Sequence, residues 1–134
     1  MEAAVKQFRK RNAILACLQG TTSHPSAEMV HQMLQKEHPD ISLATVYRNL
    51  ARFKSQGLVS SVATVRGVER FDAITHPHVH FICSGCDAVI DLPRMEIPES
   101  LSAEAEGISG CRVQDCRLTF IGLCDKCAKS KTQN

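Results

Sequence analysis

The sequence predicts an α+β chain of two modules. Three helices closed by a β-hairpin come first, and a small α/β unit stapled by a metal ion follows. Three observations carry this. Apolar residues recur at helical spacing in the first third of the chain and at strand spacing afterwards. Charge is uneven: residues 1–72 hold ten Lys/Arg against six Asp/Glu, whereas residues 73–134 hold six against eight. Four of the seven cysteines form two CxxC pairs in the second half. A basic half joined to an acidic, cysteine-rich half points to modules with different partners.

The first helix is expected over residues 4–19, with Val5, Phe8, Leu15 and Leu18 sharing a face and Gly20 ending it. After the polar turn TTSHPS, residues 26–38 read as a second helix. Ala27, Val30 and Leu34 point inward, Glu28 suits the positive first turn, and His38-Pro39 stops it. Ser42 is an N-cap for the third helix, whose stripe is Leu43, Val46, Leu50 and Phe53 and whose stop is Gly57. VSSVATV and VERFD flank Arg66-Gly67 as a hairpin. Three helices and a hairpin in this order make a winged helix-turn-helix.

In the second half, Val79–Cys83 and Ala88–Leu92 read as short strands joined by SGCD. A helix is expected over Glu99–Glu106, bounded by Pro98 and Gly107, then a longer strand over CRVQDCRLTFIGLC and a turn that frays. The expected division is 1–73 for the winged-helix DNA-binding domain, 74–78 for a hinge and 79–134 for the zinc-binding domain.

Composition excludes several classes. No apolar run approaches the roughly 20 residues of a membrane helix. The charged start MEAAVKQFRKRN has no signal-peptide character, so the expected location is the cytoplasm. Cysteines in that reducing compartment are metal ligands or core residues rather than disulfides.

Cys83-x-x-Cys86 and Cys124-x-x-Cys127 are separated by 37 residues. Two such knuckles supply the four thiolates of a closed, structural Zn²⁺ site; the competing reading is two buried or redox-active dithiols. A unit this small with few aromatics needs a staple. Cys17 is expected in the core, and Cys111 and Cys116 differ in strand parity and are not taken as ligands.

His78 and His80, two apart on a strand, face the same side, whereas Cys83 has the opposite parity. Asp91 on the neighbouring strand and Asp72 at the hairpin end complete a candidate second metal site at the module boundary. The competing reading is surface histidines beside solvated aspartates. His76 shares the parity, but Pro77 interrupts a regular strand there.

SHPSAEMVHQML, ISLATVYRNLARFKSQGLV, RFD, HxH-x2-CSGC-x4-D and CDKC occur in this order. Together they resemble the ferric uptake regulator family over almost the whole chain. The resemblance implies a winged helix and an α/β dimerisation domain, a homodimer, and a metal-dependent transcriptional repressor rather than an enzyme. It implies a regulatory ion held by His24, Asp72, His78, His80 and Asp91. Three neutral imidazoles and two carboxylates balance a divalent charge, and N/O donors suit Fe²⁺ or Mn²⁺. His31 and His38 match no ligand and read as helix-surface residues.

Asp at 72 and 91, where iron- and zinc-uptake regulators commonly have Glu, resembles the family's peroxide-responsive repressors. Pro77, Val79 and Cys116 stand where many iron-uptake regulators have a third metal site. On that resemblance, peroxide reaching an Fe²⁺-loaded site oxidises His24 or His78. The alternative is an iron- or manganese-responsive uptake regulator without peroxide sensing. An oxygenase built on the His/Asp cluster would need a substrate pocket and catalytic framework that the sequence does not suggest.

The third helix should enter the major groove of a palindromic, AT-rich operator. Thr45, Tyr47 and Arg48 are placed to reach bases or nearby phosphates, and Arg52, Lys54 and wing Arg66 to meet phosphates. The chain starts almost at the first helix, where relatives often carry an extra helix or basic arm. Lys6, Arg9, Lys10 and Arg11 are expected to substitute in part, with lower operator affinity.

Overall fold

The computed structural model describes residues 2–73 and 79–132. The chain divides into two compact units, residues 1–75 and 76–134. The expected hinge, residues 74–78 with His76, Pro77 and His78, lies outside the described residues.

In the first unit, helices α1 (Glu2–Gln19), α2 (Ala27–Leu34) and α3 (Leu43–Ser55) precede strands β1 (Ser60–Val65) and β2 (Val68–Asp72). Ser26 caps α2 by accepting the Met29 N–H, and Ser42 caps α3 by accepting the Thr45 N–H. Each bond satisfies a backbone donor that the first helical turn leaves open. The core joins Ile14 and Leu18 of α1, Val30 of α2, Val46, Leu50 and Phe53 of α3, Ile41, Val59 and Phe71. β1 and β2 pair antiparallel with an irregularity between Ser61 and Ala63. Arg66 and Gly67 both have positive φ, 52° and 80°, the requirement of a primed two-residue hairpin turn.

Two expectations need correction here. Val5 and Phe8 are exposed, because α1 buries only Ile14 and Leu18 of its second half. Helix α2 ends at Leu34 rather than near His38. The next apolar residue is Ile41, so QKEHPD has nothing to bury and leaves the helix through turns. His38 accordingly lies outside the helix, between two turns, with its N–H bonded to the Leu34 carbonyl.

In the second unit, β3 (Val79–Cys83) and β4 (Val89–Leu92) are followed by α4 (Glu99–Ser109), β5 (Thr119–Gly122) and α5 (Asp125–Thr132). The sheet order is β4-β3-β5, with β4 antiparallel and β5 parallel to β3. Because side chains alternate along a strand, His80 and Cys83 leave β3 on opposite faces.

Helix α4 runs through Gly107 and stops at Gly110, whose φ is 73° and whose N–H bonds to the Glu106 carbonyl. Gly107 costs the helix only about 1 kcal/mol. The expected long strand shrinks to β5. Asp115 and Glu106 carboxylates accept the Cys116 and Val113 N–H groups, so side chains take donors that a ladder would need. With no regular strand over 111–118, the parity argument for Cys111 and Cys116 lapses. The tail forms α5 instead of a turn. Its acidic Asp125 lies in the first turn, and the Ala128 N–H bonds to the Cys124 carbonyl.

Among the described residues, the second unit buries few apolar side chains: Val79, Cys83 and Val89. Helix α4 buries none. Hydrophobic burial on this scale is too little to fold a unit of this size by itself.

Candidate metal centres and nucleic-acid interface

Cys83 ends β3 and Cys86 lies in the turn after it, while Cys124 and Cys127 flank the start of α5. The four sulfurs lie within 4.8 Å of one another. Cys86 Sγ and Cys124 Sγ are 3.8 Å apart. Tetrahedral zinc–thiolate bonds of about 2.3 Å place sulfurs at about that separation. The Gly85 and Cys124 N–H groups each donate to Cys83 Sγ at 3.3 Å. Led by the Cys124 N–H, they pull the Cys83 pKa down to about 6. Hydrogen bonding to Cys83 and then Cys124 pushes Cys127 up to about 12. For Cys86 the Ala88 N–H works the other way, but hydrogen bonding to Cys83 and burial outweigh it and the pKa rises. One thiolate is thus prepared for an ion that must displace protons from its neighbours. Gly85 lets the knuckles close: a Cβ there would lie 2.9 Å from Cys127 Sγ.

Cys17 is half-buried, and burial raises its pKa. Cys111 is exposed and Cys116 half-buried.

Each unit also holds a histidine–aspartate pair. In the first, His24 Nδ1 lies 3.4 Å from Asp72 Oδ2, with the side chains 2% and 4% exposed. His24 occupies the loop before α2 with φ 51°, a region a non-glycine residue seldom enters. Arg70 of β2 is buried, and its Nε donates to the His24 carbonyl. Its Nη2 donates to the Ser23 carbonyl at 2.9 Å. The Phe71 N–H bonds to the Pro25 carbonyl at 3.0 Å, so β2 grips the whole loop. In the second unit, Asp91 of β4 stands directly opposite His80 of β3. His80 Nε2 is 3.2 Å from Asp91 Oδ1. Nitrogen and oxygen donors, mostly withdrawn from water, are ones that Fe²⁺ or Mn²⁺ accept.

Tyr47 is half-exposed on α3, and its hydroxyl donates to the Glu28 carboxylate of α2. That bond is the leading cause holding Glu28 below its usual pKa and Tyr47 above its own. Arg48 Nη2 donates to Thr45 Oγ1 at 3.2 Å, and Lys54 pairs with Glu69 of the wing at 3.4 Å. A groove of about 540 Å³ between α1 and α3 is lined by Lys10, Arg11, Thr45, Arg48 and Arg52 among others. Four cations along one groove suit a polyanion. Arg66 sits in the wing turn.

Residues 2–121 match the ferric uptake regulator family. The chain belongs to the ferric uptake regulator family. It is 34% identical over 132 residues to the peroxide operon regulator of Bacillus subtilis, covering 97% of this chain and 89% of that protein. It is also 34% identical over 128 residues to the peroxide-responsive repressor PerR of Staphylococcus epidermidis, covering 94% and 83%. The crystal structure of the Campylobacter jejuni peroxide stress regulator matches with a TM-score of 0.75 at 27% identity, covering 94% of each chain. Family members are metal-responsive transcriptional regulators that bind DNA as dimers. Within this family the four-cysteine cluster fits a zinc site.

Two residues with evident work, Arg70 and Gly85, had no assigned role in the sequence, and Glu28, read only as suiting the first turn of α2, also meets Tyr47. Arg70 and Glu28 lie inside quoted motifs, yet nothing in their spacing shows that one grips a loop and the other meets Tyr47. Gly85 owes its role to a contact with a residue 42 positions away.

Proposed function

We propose that this protein is a metal-dependent, homodimeric repressor in the cytoplasm that senses peroxide by oxidation of a ligand histidine. Zinc on Cys83, Cys86, Cys124 and Cys127 holds the second unit together. His24, Asp72, His78, His80 and Asp91 share the regulatory Fe²⁺ or Mn²⁺. The observation that carries the reading is the choice of aspartate at both 72 and 91, each against a histidine within its own unit. The resemblance to peroxide-responsive relatives supports it.

These five donors would hold the ion while leaving it accessible to peroxide. Bound Fe²⁺ would supply the redox-active centre that cleaves the O–O bond. In the net reaction one peroxide oxygen enters an imidazole ring, the other leaves as water, and the ring gives up two electrons. His24 and His78 are the expected targets. An oxidised ring is a poorer ligand, so the ion leaves and DNA binding ends.

On DNA, α3 would present Thr45, Tyr47 and Arg48 to an AT-rich half-site, the Tyr47 ring meeting thymine methyls. Arg52, Lys54 and Arg66 would contact phosphates. Two copies would read a palindrome. Exposed Phe120 and Ile121 on the edge strand β5 favour a second copy as their cover.

The test compares Fe²⁺- and Mn²⁺-loaded protein, with and without peroxide, by operator gel shift and peptide mass. The expected result is one added oxygen on the peptide holding His24 or His78, with loss of the shift, in the Fe²⁺ form alone. Unmodified histidines with continued binding refute peroxide sensing and favour a metal-responsive uptake regulator.

A further inference from the structure

We infer that Arg70 is the positioning residue that holds His24 as a metal ligand. The inference rests on the regulatory site proposed above. A guanidinium cannot ligate a cation, so any effect of Arg70 on the ion must pass through other groups. The structure shows which. The carbonyls on either side of His24 turn toward one guanidinium edge, where Nε meets the His24 oxygen and Nη2 meets the Ser23 oxygen.

That arrangement needs the unusual backbone of His24. Extended residues point successive carbonyls to opposite sides. The right-handed helical region is disfavoured because Pro25 follows. His24 instead adopts φ 51°, a strained conformation that a non-glycine residue keeps only where its surroundings enforce it. Arg70 is the enforcing group: its planar fork matches two fixed acceptors as a flexible ammonium cannot, and it is only 8% exposed. Arg70 lies two residues before Asp72, on the same strand and the same face. The strand that carries one ligand therefore also grips the loop that carries another. Phe71 adds a third tie through Pro25. His24 and Asp72 then meet an incoming ion at a set spacing, without a loop to order first.

The test is a double-mutant cycle in the zinc-loaded full chain. Mn²⁺ affinity is read from the electron paramagnetic resonance signal of the free ion. Arg70→Gln should weaken Mn²⁺ binding by about 10–100-fold, the usual effect of losing a group that orients a ligand, with zinc content unchanged. His24→Ala should weaken it as well. The double variant should bind no worse than His24→Ala alone, because Arg70 acts through His24. A variant that only loosened the fold would weaken the remaining ligands too, giving additive losses. Arg70→Lys, which keeps a cation and a donor, carries the same cycle should Arg70→Gln fail to fold, with a smaller loss. Additive losses, or wild-type affinity in the Arg70 variant, overturn the inference while leaving the site reading intact. Unchanged affinity in His24→Ala overturns both.

Discussion

Cys83 shows how much a single side chain can prepare a site. Backbone N–H groups hold its pKa near 6, while Cys86 and Cys127 are raised. Cys83 is therefore largely thiolate at neutral pH, and the other two must each lose a proton to the metal. The lowered pKa of Cys83 contributes to the stability of the folded arrangement above the ordinary thiol value, and that contribution is lost as pH falls through about 6. The raised groups do the reverse. They favour the fold below the ordinary value and oppose it as pH climbs through their own range. Zinc affinity should accordingly rise by at least about two decades per pH unit between about pH 7 and 8. Zinc competition titrations check this, and a slope below two would mean the thiols are already ionised. The ligating residue types and their CxxC spacing are plain in the sequence. The N–H groups that separate Cys83 from Cys127 are not, because they depend on how the two knuckles fold onto each other.

Helix α3 is held by a cap that sequence alone identified. Ser42→Ala removes the bond to the Thr45 N–H and should lower the stability of the first unit by about 1 kcal/mol. A shift of the urea midpoint at constant slope would measure it. Because Thr45 and Tyr47 lie in the first turns of α3, operator affinity should fall in the same variant. The stripe of Val46, Leu50 and Phe53 was legible from helical spacing, since the helix is long and one face is fully buried. Elements at the ends of contacts were less so. Val5 and Phe8 repeat at the same spacing as Leu15 and Leu18, and only tertiary packing tells which part of α1 is covered. The segment 111–124 alternates loosely, but Asp115 and Glu106 divert its backbone donors. Local hydrogen bonding of this kind overrides β propensity.

Across the whole chain the two units rest on different forces. The first has a continuous apolar core drawn from all its helices and its hairpin. The second buries little among its described residues and instead brings four cysteine sulfurs together. Chelation should therefore abolish the structure of the second unit and spare the helices of the first. Hydrogen exchange after zinc removal would show protected α3 amides beside fully exchanged β3 and β5. Uniform retention of protection in both units would contradict a structural zinc. The α+β division, the basic and acidic halves and the thiolate cluster could all be read from residue order. The grip of Arg70 on the His24 loop could not, since it joins residues 46 and 47 positions apart through backbone oxygens that carry no sequence signature.

The parity of β3 has a protective consequence. His80 leaves one side of the sheet and Cys83 the other, three residues along, about 10 Å of strand. Thiolates are among the groups most readily oxidised in a protein. A sensor that spends peroxide beside His80 would endanger its own anchor if both projected into one chamber. The pleated backbone of β3 stands between them as a partition, so oxidation at an ion held on the His80 face, as proposed, would be screened from the thiolates on the other.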